Sequence, residues 1–204
     1  MTSLPKSLNQ IAMTAKKAAI GQGFPIGLAE DISRAASLLV RHDCDSSSAL
    51  LAALEKRYSG PQGFSRTGRE LYVWEARAAI STPSMCDLFA SDARLERVTL
   101  GNCDSPVLCL ALTAIAAADY HLNLQLDFEG TGCQALIHGR QLFLYGALPY
   151  HYCNVHIHKG RDSSVAVVDA SAWQQLDRLA AQTYVPASEA SRLQGAGAGL
   201  LDND

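Results

Sequence analysis

The seven residues Tyr152, Cys153, Asn154, Val155, His156, Ile157 and His158 hold the strongest chemical signal in the chain. Successive side chains of a β-strand point to opposite faces. In a strand, Tyr152, Asn154, His156 and His158 therefore share one face, and Cys153, Val155 and Ile157 share the other. The second set suits a core. The first brings two imidazoles side by side, and imidazole both titrates near neutral pH and ligates metals readily. Residue type alone points to two chemistries, a metal centre or a proton-transfer step.

Either chemistry needs a carboxylate. Leu122, Leu124, Leu126 and Phe128 alternate with Asn123, Gln125, Asp127 and Glu129, the pattern of an antiparallel strand with one wet face. If both wet faces lie on one side of a sheet, Asp127 and Glu129 converge on the imidazoles. His156, His158 and Glu129 then form a candidate ligand set for a divalent metal cofactor, zinc or ferrous iron, with positions left open for substrate. His156, His158 and Asp127 are the candidate catalytic acid/base groups. The structural alternative is a solvated strand face with two inert histidines. The histidine-triad nucleotide hydrolases carry three alternating histidines on a strand, whereas Asn154 and Gly160 stand on either side of this pair. His151 and Cys153 are two residues apart, ~6–7 Å along a strand, too far for the histidine to activate the thiol directly. Cys153 is expected as a packed thiol.

The elements that must position these groups can be read from capping and periodicity. Ser7 and Gln10 fit a capping box ahead of a helix with Leu8, Ile11, Ala12, Ala15 and Ala19 on its apolar side, stopped at Gly21 and Gly23. Pro25 opens a second helix with Leu28, Ile32, Ala35 and Leu39 inward. Residues 43–48 read as a turn, and Leu50, Leu51, Leu54 and Tyr58 as a third helix closed by Gly60. Residues 60–69 are a polar loop. Residues 71–74 read as a strand, 75–80 as ambiguous, 83–90 as a short helix and 95–100 as a strand. Asp104, Ser105 and Pro106 start a helix over 107–120 with so little polarity that it must be mostly buried. Residues 134–137 and 141–145 form a hairpin around His138, Gly139 and Arg140. The histidine strand pairs with residues 165–168, and Ser171 caps a last helix bearing Trp173, Leu176 and Leu179.

Composition limits the function classes. In 204 residues, 48% are hydrophobic and 18% charged, which supports a sizeable core. A net charge of −3 with scattered basic residues argues against nucleic acid as a partner. Residues 106–118, the longest apolar run, are shorter than the ~20 residues of a membrane span. The N-terminus has no secretory signal pattern. Six cysteines without a CxxC pair read as free thiols. A cytoplasmic protein without membrane or nucleic-acid partners is expected, acting on a small-molecule ligand.

The C-terminal run carries Pro186, a Ser188–Glu189–Ala190–Ser191–Arg192 segment, and glycines at 195, 197 and 199 before Asp202 and Asp204. Glycine lets backbone approach a ligand or another chain closely, so this tail is a candidate lid or a docking element for a homo-oligomer or accessory subunit. This ending, together with Ser7-Leu8-Asn9-Gln10-Ile11, Lys17-Ala18-Ala19 and Gly27-Leu28-Ala29-Glu30, resembles an uncharacterised bacterial domain-of-unknown-function family of roughly 200 residues. The resemblance implies a stand-alone protein and supplies no catalytic residue. The expected fold is α+β in a single domain over 1–204. Helices fill 1–60, and an antiparallel sheet of about five strands lies in 70–182, backed by the helix at 106–120 and the helix after Ser171. The glycine-rich segment is 183–204.

Overall fold

The structure, a computed structural model, describes residues 5–160 and 170–181. The chain divides into two compact units, Met1–Asp162 and Ser163–Asp204. In the first unit the order is α1 (Leu8–Gly21), α2 (Ile26–Arg41), α3 (Ser46–Leu54), β1 (Ser65–Thr67), β2 (Glu70–Val73), α4 (Ala78–Ser91), β3 (Arg97–Cys103), α5 (Pro106–Tyr120), β4 (Asn123–Phe128), β5 (Cys133–His138), β6 (Gln141–Tyr145) and β7 (Cys153–Lys159). In the second unit the described element is α6 (Ala170–Ala181). Its helix includes Ser171 rather than starting after it, and Trp173, Leu176 and Leu179 are exposed. The expected strand over 165–168 and the tail over 183–204 lie outside the described residues.

The fold is α+β, with a larger sheet than expected. Seven strands run in the order β1-β2-β3-β7-β4-β5-β6. The sheet is mixed, because β2 and β3 are parallel while the other neighbours are antiparallel. The parallel pair follows from the ambiguous stretch over 75–80, which is helical from Ala78. Parallel neighbours need a crossover, and α4 supplies it, starting at Ala78 and running through Pro83. The last strand, β7, inserts between β3 and β4, so the β3–α5–β4 unit is split by a strand made later in sequence.

Helix α5 is buried all along its first half, from Pro106 to Thr113. It lies between the sheet on one side and α2 and α3 on the other, which explains its almost uniformly apolar sequence. The backing helices of the first unit are therefore α4 and α5. Capping follows the sequence at α1, where Ser7 Oγ accepts from Gln10 N at 3.2 Å and Gln10 Oε1 accepts from Ser7 N at 2.9 Å. The third helix starts earlier than expected, because the Asp45 carboxylate accepts from Ser47 N and Ser48 N at 3.0 and 3.1 Å and nucleates it there.

One buried ionic contact ties the layers together. Asp104 Oδ1 accepts from Ala78 N at 2.8 Å, capping α4 from the β3–α5 junction. Asp104 Oδ2 faces Arg77 Nε at 4.0 Å with both side chains about one-tenth exposed. The Arg77 guanidinium donates to the carbonyls of Lys56 and Arg57, the latter at 2.8 Å, and lies 5.6 Å over the Phe24 ring. Burial pushes the Asp104 carboxyl up to about 6, against the opposing pull of the Ala78 N–H and Arg77.

The consequence for stability has a definite sign. The folded state binds a proton on Asp104 at pH values where the unfolded chain, near 3.8, has lost it. Asp104 therefore favours the fold most below about pH 4, and that contribution is lost as pH rises through about 6. Urea unfolding at pH 4.5, 6 and 7.5 should show this component in the wild type and a smaller pH slope in Asp104→Asn. The difference between the two should vary by on the order of 1–3 kcal/mol across the range. Parallel slopes would show that Asp104 titrates alike in the folded and unfolded chain.

Candidate functional site

The two faces of the sheet differ because β7 alternates. Val155 and Ile157 are fully buried against the helices, and Asn154, His156 and His158 project from the opposite face, half-buried. Their neighbours on that face follow from register. Thr99 on β3 and Asp127 on β4 flank His156, and Arg97 and Gln125 flank His158. The same alternation in β3 buries Val98 and Leu100 and turns Arg97 and Thr99 to the histidine side. His151 lies in an exposed bend before β7.

Each imidazole has its own partners. His156 Nδ1 lies 3.1 Å from Arg97 Nη2 and 3.0 Å from Thr99 Oγ1. A guanidinium only donates, so Nδ1 must carry the lone pair and Nε2 the hydrogen. His156 Nε2 lies 3.7 Å from Glu129 Oε2. His158 Nε2 lies 3.4 Å from Asp127 Oδ2, and Gln125 Nε2 donates to both Asp127 oxygens at 3.2 and 3.3 Å. Glu129 is held by Asn154, whose Nδ2 donates to Glu129 Oε2 at 2.5 Å. Asn154 Oδ1 in turn accepts from the backbone N of Asn102 at 2.7 Å. Asn102 has φ of +46° and sits in a register irregularity between Leu100 and Cys103, which re-aims the end of β3 toward Asn154.

Arg97 and Thr99 were not among the residues expected from sequence. The alternation Arg97–Val98–Thr99–Leu100 contains their signal, but it becomes a site only once β3 is known to lie beside β7. The β2 side of the face is walled by aromatics. The Tyr72 ring lies over Gly101, where a Cβ would collide with its hydroxyl end, and the Trp74 ring packs on Tyr72 at a 3.9 Å centroid distance.

The candidate residues thus come together as two pairs, His158 with Asp127 and His156 with Glu129. The expected ligand set of His156, His158 and Glu129 is divided between them. Among the described residues no three His, Cys, Asp or Glu side chains are grouped so as to hold a metal ion. Both nitrogens of His156 are occupied, one by Arg97 and the other by its hydrogen facing Glu129. Burial depresses the His158 pKa first, and the Arg97 charge depresses it further, opposed by Asp127. Cys153, facing the helices, is pushed up to about 11 by burial, which leaves it a packed thiol as its parity suggests.

Residues 6–84 match a family model described as "Protein of unknown function (DUF3726)". The matched segment covers α1–α3, β1, β2 and the start of α4, and the two histidine–carboxylate pairs lie beyond it. No curated protein and no solved structure matches the chain.

Nitrogen-15 spectroscopy of the imidazoles tests the site electrostatics. His158 should titrate below its ordinary 6.5, and Arg97→Met should raise that midpoint while Asp127→Asn lowers it further. Because the folded state binds this proton less readily than the unfolded chain, His158 adds stability above pH 6.5 that is lost as pH falls through its folded value. A midpoint at or above 6.5 that ignores both substitutions would contradict this description.

Proposed function

We propose that the histidine face catalyses proton transfer on a small molecule, with His158 as general base and His156 as the donating partner. The observation that carries this reading is the His158–Asp127 pair. Asp127 stands 3.4 Å from Nε2 and favours the hydrogen there, leaving the other ring nitrogen as proton acceptor. A depressed pKa keeps that nitrogen free near neutral pH, where an efficient base must operate. Gln125 holds Asp127 from two residues earlier on the same face of β4 and so fixes the geometry of the pair.

His156 complements it. Arg97 fixes its tautomer, which leaves Nε2–H as a hydrogen-bond donor. Along one face of a strand, residues i and i+2 lie ~7 Å apart, enough for a small substrate to contact both rings. Thr99 is 9% exposed, so its hydroxyl orients the His156 ring rather than attacking a substrate. The chemistry favoured is therefore abstraction of a proton from carbon or oxygen with return of a proton nearby, as in an isomerase or lyase, or activation of a water in hydrolysis. The six free thiols suit work in a reducing compartment such as the cytoplasm.

Turnover should be sought with a panel of small hydroxy and oxo acids, esters and lactones. His158→Gln should lower any turnover by ~10²–10⁴-fold, the usual worth of a positioned base. Asp127→Asn should lower it less and shift the acidic limb of the pH profile. Turnover that survives His158→Gln unchanged would refute the assignment.

A further inference from the structure

We infer that Arg97 is an anion subsite on this face and that the molecule bound there is a small monocarboxylate. The inference rests on the proton-transfer reading only for where the carboxylate's neighbouring carbon would lie.

Among the described residues Arg97 is a half-buried cation with no ion-pair partner within 4 Å, its register neighbour Glu70 on β2 being exposed. Buried Arg77 has Asp104, half-buried Lys16 has Glu30 at 2.8 Å, and exposed Arg34 and Arg66 have Asp119 and Asp92. Half-buried Lys159 donates to the Asp92 carbonyl and sits over the Phe89 ring. Among the described residues, no carboxylate lies within 4 Å of the Arg97 nitrogens. Its hydrogen-bond contact is the Nδ1 of His156, and among the described residues its Nε–H, like that of Arg77, is buried with no hydrogen-bond partner. Withdrawing a guanidinium from water without a counter-charge is costly, and so is an unmet buried donor. A bound carboxylate would offset the missing counter-charge, since a planar carboxylate matches the guanidinium fork with two parallel hydrogen bonds.

The surroundings select the charge of the ligand. Glu70 on β2 and Asp127 and Glu129 on or beside β4 border the face, so it already carries more negative than positive charge. A dianion such as phosphate would meet about twice the repulsion that a single carboxylate meets. The register then places the reacting atoms. Arg97 and His158 sit directly opposite each other across β3 and β7, where Cα atoms are ~4.5–5.5 Å apart. The Arg97 guanidinium reaches His156 Nδ1 at 3.1 Å, so a carboxylate anchored on it lies on the face shared by both imidazole rings, and Tyr72 closes the β2 side. The substrate class assigned is a small acid with a removable proton on the atom next to its carboxylate.

The test is titration of the full chain with acetate, lactate and pyruvate at constant ionic strength and pH 7.5, with inorganic phosphate and acetamide as controls. The readouts are the Arg97 Nε–H resonance and calorimetric affinity. Monocarboxylates should move the Arg97 resonance saturably and bind about tenfold or more tightly than acetamide or phosphate. Arg97→Met should weaken them by about the same factor, with Arg97→Lys between. An unmoved Arg97 resonance at tens of millimolar would overturn the inference, as would acetamide or phosphate binding equally well. The wild-type resonance decides the matter even if a variant fails to fold. Turnover that needs His158 while carboxylates leave Arg97 untouched would remove this inference alone. Carboxylates that bind Arg97 while His158→Gln leaves turnover intact would remove the proton-transfer reading alone.

Discussion

The position of β7 is the constraint on which the rest depends. It is the last strand of the first unit in sequence and the central strand of the sheet, paired on both sides. Val155 and Ile157 each contribute about 1.5–3 kcal/mol by leaving water. A one-residue slip would turn both into solvent and drive both imidazoles into the apolar layer above α5. The core thus determines where the chemistry sits. Because β3 obeys the same alternation through Val98 and Leu100, Arg97 and Thr99 must meet the imidazoles, whatever their own preference for water.

That meeting sets the electrostatics. A guanidinium against an imidazole nitrogen makes a metal ion on that nitrogen unfavourable, since it would place two positive charges within about 3 Å of each other in partly excluded solvent. The two carboxylates act differently. Asp127 is braced by Gln125 and steadies His158, while Glu129 is more than half exposed and is held through Asn154. One imidazole is thereby kept neutral and basic beside a fixed anion, and the other has a fixed tautomer beside a fixed cation. Pairs of titratable groups whose environments differ in this way are what acid and base roles require.

Much of this was legible in local sequence, because its signals are short-range. The capping box at Ser7, the uniformly apolar run of α5, and the alternation in residues 122–128 and 152–158 each depend on neighbours within a few positions. What could not be read was pairing at long separation. Nothing local reveals that β7 joins β3, some 57 residues away. For the same reason Arg97, which governs both histidines, passed as one scattered basic residue. The ambiguous alanines of 75–80 concealed a second non-local feature. Their helix is capped by Asp104 from the far side of β3, and with that helix came the parallel pair and a larger sheet.

The family match and the histidine face meet at one seam. The matched residues 6–84 build the helical layer that buries α5 and end with β2 and about the first two turns of α4. The proton-transfer groups stand on β3, β4 and β7. Across the seam run the backbone bonds from Ala76 N to Gly101 O at 2.8 Å and from Asp104 N to Ala76 O at 3.0 Å, the Arg77–Asp104 contact, and the Tyr72 ring over Gly101. Gly101 is needed there because any side chain would displace the aromatic wall. The matched segment therefore acts on the site through its last strand. It supplies the wall and the latch that hold β3 in register, and β3 in turn presents Arg97 to the imidazoles.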